Sequence, residues 1–215
     1  MNSFKIGDLL NLKRGYDLTK EEMIDAGIPV VGSNGIIGYH NKATAKNPCV
    51  TIGRSGTVGI PHYYKQDCWV HNTCLYIDDF KDNNPLYLYY LLKNVNLTKV
   101  ANSTGVPTLN RNFVHPLKIK ATDNKAYQDK IAHILATLDY KVHNNNKIIS
   151  ELESMAKTIY DYWFIQFEFP NEEGKPYKSS GGKMVWNKEL KREIPEGWEV
   201  DTVKKCIHHI NTGLN

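Results

Sequence analysis

The stretch whose reading decides the fold is residues 124–166, NKAYQDKIAHILATLDYKVHNNNKIISELESMAKTIYDYWFIQ. Ile131, Leu135, Leu138, Val142, Asn145, Ile149, Leu152, Ala156, Ile159 and Trp163 step through it by alternating fours and threes, and only Asn145 is strongly polar. A 3.5-residue period belongs to a helix that winds on another helix, not to one lying alone on a globule. Neither Pro nor Gly falls between Asp123 and Phe169, so nothing punctuates the run. Asn124 or Asp123 can cap its start by accepting a hydrogen bond from a free first-turn N–H. At 1.5 Å per residue the rod is roughly 60 Å long, more than a small domain needs. Asn145 in the seam lowers stability and fixes the register of pairing. The alternative is a long core helix of one domain; the unbroken period favours a spacer and dimerisation helix.

Around this helix, 215 residues leave room for one large or two small domains. An apolar share of 41% is that of a folded chain rather than a disordered one. The net charge of +4 says little, but its distribution says more. Residues 1–122 carry 14 basic and 9 acidic side chains, whereas residues 123–168 carry 5 and 7. The positive field therefore lies on the first region, as expected of one that meets phosphate. Cys49, Cys68, Cys74 and Cys206 form no paired framework, and the N-terminal Met-Asn-Ser-Phe-Lys is not a signal peptide. With no apolar run of membrane-spanning length, a cytoplasmic chain with reduced thiols is expected.

Residues 1–122 read as short strands separated by Gly and Asn turns, giving an α+β chain whose first domain is β-rich. Phe4–Leu12 is a short helix or strand, and Thr19–Ala26 a helical turn with Glu21 and Glu22 near its start. Strands are expected at Ile28–Val31, Ile36–His40, Cys49–Ile52, Val58–Tyr64 and, as one continuous run, Trp69–Ile77. Pro85–Leu92 reads as an apolar helix whose tyrosines are core, and Arg111–Ile119 as a closing strand. Three loops carry donors on backbones free to approach a surface: Gly32-Ser33-Asn34-Gly35, Gly53-Arg54-Ser55-Gly56, and Asn102-Ser103-Thr104-Gly105 with Thr108, Asn110 and Arg111. Arg54 is the side-chain type best matched to a guanine edge or a phosphate. Solvated hairpin turns would show the same composition.

Catalytic and metal patterns are mostly missing. Cys68-x2-His71-x2-Cys74 lacks ordinary zinc spacing, and on one strand His71 would face away from both sulfurs. Asn84-Pro85-Leu86-Tyr87 is a near miss to the Asn-Pro-Pro-Tyr loop of amino-methyltransferases, but no Gly-rich cofactor loop accompanies it. It reads better as a helix start with Pro85 in the first turn. Glu173-Gly174-Lys175 offers a nuclease-like carboxylate and lysine without a suitably placed upstream Asp. Gly174–Lys183 is Gly- and Lys-rich but is not a phosphate loop. Neither a catalytic residue nor a metal site is expected.

Beyond Trp163 the aromatic run Phe164–Phe169 and Pro170 end the helix. Residues 171–186 read as a polar loop folding back on the helix end through Phe167, Phe169 and Trp186. Glu193–Val200 reads as a linker into a further domain, of which residues 203–215 are too few to bury a core.

The run VVGSNGIIGYHNKAT…CVTIGRSGTVG in 30–59 resembles the target recognition domain of the specificity subunit of Type I restriction–modification enzymes. QDKIAHILATLDYKVHNNNKIISELESMAKTIYDYWFIQFEFP in 128–170 is similar to that family's spacer helix. GKPYKSSGGKMVWNKELKREIPEGWEV in 174–200 is similar to the passage into its second recognition domain. The resemblance implies a target recognition domain over 1–122, a spacer and dimerisation helix over 123–168, and a linker with the start of a second recognition domain over 169–215. The family's full subunit has two recognition domains and two spacer helices, so a fragment or a natural half-subunit is expected here. It further implies a non-catalytic reader of double-stranded DNA that docks modification (methyltransferase) and restriction (motor-nuclease) subunits. S-adenosylmethionine, ATP and magnesium would then be ligands of those partners, with no cofactor on this chain. The DNA-contacting candidates are Ser33, Asn34, Arg54, Ser55, Thr104, Asn110 and Arg111. An exposed seam on a half-subunit implies pairing with a second copy, antiparallel, to read an inverted repeat. The competing functions are a stand-alone coiled-coil DNA-binding protein and a small methyltransferase or nuclease.

Overall fold

The computed structural model describes residues 2–101 and 107–202. The chain forms two compact units, and the division falls inside the long helix, between Tyr140 and Lys141. In the first unit β1 (Asn2–Lys5), α1 (Ile6–Leu9) and β2 (Asn11–Arg14) lead into β3 (Ile28–Gly32), β4 (Gly35–His40), β5 (Cys49–Gly53) and β6 (Pro61–Tyr64). β7 (Trp69–Val70), β8 (Cys74–Asp79), α2 (Pro85–Lys93), a 3₁₀ turn (Leu97–Val100), α3 (Arg111–Val114) and β9 (Lys118–Ala121) follow, before α4 (Lys125–Tyr160) begins.

The central sheet is antiparallel with strand order β2-β8-β5-β6. Strands buried on both faces should alternate between two cores, and these do. Val50 and Ile52 of β5, Leu75 and Ile77 of β8 and Leu12 of β2 pack with α1, α2, Leu97, Leu109, Val114 and Ala132. Cys49, Cys74 and Tyr76 from the same strands face a smaller cluster with Val31, Ala45, Cys68 and Val70. That second cluster is closed by a three-stranded sheet, β4-β3-β7, in which β3 runs antiparallel to β4 and parallel to β7. β1 and β9 form a separate antiparallel pair, Phe4 opposite Ile119.

Four local expectations are corrected. Trp69–Ile77 is two strands in two different sheets, broken by a turn at residues 71–73. Asn72 and Thr73 supply turn chemistry there that an apolar-run reading passes over. The argument from one strand's two faces loses its premise, although Cys68 and Cys74 do lie on one side, in a cluster with Cys49. Residues 19–26 contain one turn and no helix, in which the Glu22 carboxylate accepts from the Thr19 N–H at 2.8 Å. The expected strand at 111–119 is instead a helical turn, α3, followed by β9, because Asn110 caps the turn by accepting from the Asn112 N–H at 3.0 Å.

α4 starts where the sequence placed it: the Asn124 carboxamide accepts from the Tyr127 N–H at 3.2 Å. Its first turns dock on the first unit through Gln128, which is fully buried. The Gln128 amide donates to Asn83 Oδ1 at 2.6 Å and to the Thr122 carbonyl at 2.8 Å, and its oxygen accepts from the Asn84 N–H at 2.8 Å. Asn84 also caps α2, accepting from the Tyr87 N–H at 2.9 Å, and donates to Asp129 at 2.7 Å. The residues that nearly match a methyltransferase loop therefore serve a helix cap and a helix–loop clamp. Farther along, the Tyr90 hydroxyl donates to Asp139 at 2.9 Å.

The ten-residue seam does not share one environment. Ile131 packs on the main core and Leu135 is half-buried, whereas Leu138, Val142, Asn145, Ile149, Leu152, Ala156, Ile159 and Trp163 are exposed. Leu138, Val142, Ile149 and Leu152 each expose more than half their surface (52, 58, 53 and 58%), which an unpaired soluble helix would not favour.

In the second unit α4 winds into a wider π segment, Asp161–Ile165. Phe167 then reverses the chain with φ 62°, a left-handed position usually taken by Gly. The Glu168 N–H reaches back to the Tyr162 carbonyl at 3.0 Å, closing the helix end. The strain at Phe167 is offset by packing, since its ring is buried beneath the Arg192 guanidinium (4.7 Å) and edge-on to Trp198 (5.5 Å). Phe169 stacks between Tyr177 and Trp198. Trp186, expected in this cluster, is exposed on a hairpin of β10 (Met184–Asn187) and β11 (Arg192–Pro195), and Trp198 occupies its expected place. Glu173 and Lys175 form an exposed ion pair at 2.9 Å across a turn organised by Asn171, which accounts for their spacing without a nuclease site.

Candidate nucleic-acid interface

β2 ends in Lys13-Arg14, followed by Gly15, and its free edge is clasped by the α3 region. The Leu12 N–H donates to His115 Nε2 at 3.0 Å, and Arg111 donates to the Leu12 carbonyl at 3.3 Å. Burial, reinforced by Arg111 and Lys81, holds the His115 pKa below the usual imidazole value, so this nitrogen stays free to accept. The clasp brings the basic end of β2 against the α3 turn.

The loop after β5 is fixed from both sides by its backbone. The Arg54 and Ser55 N–H groups both donate to the Thr73 carbonyl, at 2.7 and 3.1 Å, and the Arg54 carbonyl accepts from the Leu109 N–H at 2.8 Å. Ser55 also bridges to Thr108. Gly53 permits this closure, because a Cβ there would lie 1.8 Å from the Thr57 carbonyl oxygen and 3.2 Å from the Ser33 oxygen. A Cβ at Gly56, φ 82°, would lie 3.3 Å from Ser33 Oγ. The β3–β4 turn and the β5–β6 loop are thus in contact at Ser33, with Asn34 exposed at the tip.

The turn at residues 71–73 ties these pieces together. It receives Arg54 and Ser55 on Thr73, its His71 N–H donates to the Val31 carbonyl at 2.9 Å, and Asn72 donates to Asp17. A Cβ at Gly15 would fall 2.2 Å from the His71 carbonyl oxygen, so the end of β2 lies directly on this turn.

The result is an open cleft of about 320 Å³ lined by Lys13, Arg14, Arg54, Leu75, Leu109, Asn110, Arg111 and Asn112. Four of these are cations, two are carboxamides and none is acidic. Their ties are loose: Lys13 lies 3.8 Å from Asp78, Arg14 lies 3.7 Å from Asp17, and Arg54 reaches the Asn72 carbonyl at 3.4 Å. Such weakly committed guanidiniums and amides can be redirected to phosphate oxygens or base edges at little cost.

Of the candidates named from sequence, Arg54, Asn110 and Arg111 line one cleft, and Ser33 and Ser55 belong to the loops that frame it. Asn34 stands at the neighbouring turn, and Thr104 lies outside the described residues. Lys13, Arg14 and Asn112 were missed; the adjacent basic pair before Gly15 was the available signal. Among the described residues no group of three or more His, Cys, Asp or Glu side chains is arranged to hold a metal. Cys49, Cys68 and Cys74 are free and buried, and burial pushes the Cys74 thiol up to about 12. No helix among the described residues is long and apolar enough to cross a membrane.

Comparison with known proteins fits this arrangement. The specificity subunit of the Type I restriction enzyme MjaIX from Methanocaldococcus jannaschii is 34% identical over 134 residues, covering 60% of this chain and 28% of that protein. The S subunit of a Type I restriction-modification system from M. genitalium superposes with a TM-score of 0.61 at 19% identity, over 78% of this chain and 46% of that one. A chain solved in work on complex assembly and conformational transition of the type I R-M system gives 0.58 at 14% identity, over 74% and 43%. These likenesses to solved structures establish a shared α+β fold with a long helix. The chain spans less than half the length of each of these relatives. The model of the Type I restriction modification DNA specificity domain matches residues 1–154, most of the chain, and the protein therefore belongs to that family.

Proposed function

We propose that this chain is a non-catalytic, sequence-specific DNA-reading subunit of a Type I restriction–modification system. The observation that carries the reading is the acid-free cleft in which Lys13, Arg14, Arg54 and Arg111 meet Asn110 and Asn112. Cations there position the phosphate backbone, while Arg54, Asn110 and the neighbouring Ser33 and Asn34 offer donors and acceptors to base edges. In this reading residues 1–122 read one half-site and residues 123–168 set its distance from the next. The exposed apolar row of α4 is covered by a second copy, antiparallel, so that two identical readers face an inverted repeat. Methyltransferase subunits dock on the assembled pair and motor-nuclease subunits join them, bringing S-adenosylmethionine, ATP and magnesium in the cytoplasm.

The deciding experiment is sequencing of methylated DNA from cells that express this chain with modification subunits. A bipartite, palindromic modified-adenine motif that disappears on deletion of this gene is the expected result. An unchanged methylation pattern, or failure to co-purify with a methyltransferase, would leave only a stand-alone DNA-binding protein.

A further inference from the structure

The paired-helix reading leaves open how the two copies of α4 align. We propose a single register, in which Val142 lies opposite the second copy's Ile159, Asn145 opposite its Ala156, and Ile149 opposite its Leu152. This rests on the antiparallel dimer proposed above and adds the alignment.

Seam positions alternate between two kinds, one containing Leu135, Val142, Ile149 and Ala156, the other Ile131, Leu138, Asn145, Leu152 and Ile159. An antiparallel pair sets one kind against the other in every layer, so alignments can slide only by whole heptads. Val142 can therefore meet Ile131, Leu138, Asn145, Leu152 or Ile159 of the second copy; the first two use Ile131, directly or opposite Ile149, although it packs on its own core, and three remain. The structure separates these three. Meeting Asn145 would bring Ala156 onto Ile131, which packs on its own core, and Ile159 onto Gln128, which is fully buried. Meeting Leu152 would set Ile159 on Leu135, which is already half-buried in its own chain. Meeting Ile159 draws its layers from the exposed part of the row: Val142, Ile149, Leu152 and Ile159 are 58, 53, 58 and 46% exposed.

Flanking side chains point the same way. Opposite Leu152, the alignment sets Asp139 beside the second copy's Glu153, a like-charge pair across the seam. Opposite Ile159, Asp139 instead meets Tyr160, and Glu153 meets Asn146. On the other flank Ile148 and Met155, 52 and 59% exposed, come together and widen the apolar contact. Asn145 faces the small Ala156, which leaves its carboxamide space to reach the solvent edge. The strict heptad count stops at Ile159, because the π segment from Asp161 changes the angle per residue. The two-fold axis then passes between Ile149 and Leu152.

Paired cysteines test the alignment in the full chain with Cys206→Ser, after ultracentrifugation shows that each variant still dimerises. Oxidised glutathione should lock V142C/I159C into a covalent dimer at about ten-fold higher yield than L138C/A156C, since the latter sulfurs lie a whole heptad, about 10 Å, apart in the proposed register. V142C alone should not crosslink, because 17 residues along antiparallel helices separate its two copies by about 25 Å. Preferential locking of L138C/A156C, which the alignment with Val142 opposite Leu152 would bring together, overturns the register and leaves the dimer standing. Locking of V142C alone shows parallel helices, and a dimer that none of these pairs locks is not joined by this seam; either overturns the proposal. A monomer at micromolar concentration removes the underlying dimer.

Discussion

Replacing Gln128 with Ala tests whether the clamp at the start of α4 holds the helix on the first unit. Gln128 is fully buried and satisfies three groups: the Asn84 N–H, Asn83 Oδ1 and the Thr122 carbonyl. Leaving a buried group unpaired costs about 1–3 kcal/mol, and acceptors suffer less than an orphaned N–H. Assigning about 2 kcal/mol to the Asn84 N–H, about 1 to the two acceptors together and about 1 to the lost methylene contacts gives about 4 kcal/mol. In a unit of this size that corresponds to a fall in Tm of about 10 °C. Urea and thermal unfolding followed by far-UV circular dichroism would measure it. Gln128→Leu keeps most of the volume and loses the same three bonds, so it should cost nearly as much. A loss below about 1 kcal/mol for both variants would refute the clamp. A large loss for Ala alone would show that Gln128 matters as filling.

Three further outcomes are expected. Arg54→Ala should weaken binding to the cognate duplex by about 1–3 kcal/mol and relax preference at one base position, read by anisotropy across base-substituted duplexes; an unchanged profile would reduce the loop to an ordinary turn. Because the His115 pKa is depressed in the folded chain, its contribution is complete above about pH 6.5 and is lost as pH falls through the lower folded value; urea midpoints at neutral and mildly acid pH should show a wild-type slope that His115→Gln lacks in part, and equal slopes would remove His115 as its source. Phe167→Ala should destabilise the second unit by about 3–5 kcal/mol through loss of the buried ring. Phe167→Gly should be milder by about 1 kcal/mol, inverting the usual order, because Gly carries no penalty at φ 62°; a Gly variant less stable than the Ala variant contradicts that strain.

Much of this chain was legible in one dimension because its strongest signals are local. The unbroken 3.5-residue period, the Asn124 cap and the missing Pro and Gly sufficed for α4, and Asn84-Pro85 for the start of α2. The Gly-flanked loops at residues 32–35 and 53–56 were recognisable because turn chemistry is written in adjacent residues. What sequence could not decide was which local pieces meet. Trp69–Ile77 looks like one strand by composition, yet its halves pair with different sheets, and that choice depends on partners far along the chain. Lys13 and Arg14 join Arg54 and Arg111 only because His115 and Arg111 clasp Leu12 across roughly a hundred residues. The apolar row of α4 was visible as a period, but its division at Leu135, inward before and exposed after, follows from where the main core runs out of surface to cover. Local sequence thus determined the long helix, its apolar row and the Gly-flanked turns; tertiary packing alone determined how 69–77 divides between sheets, which cations share a cleft and which part of the helix remains open to a partner.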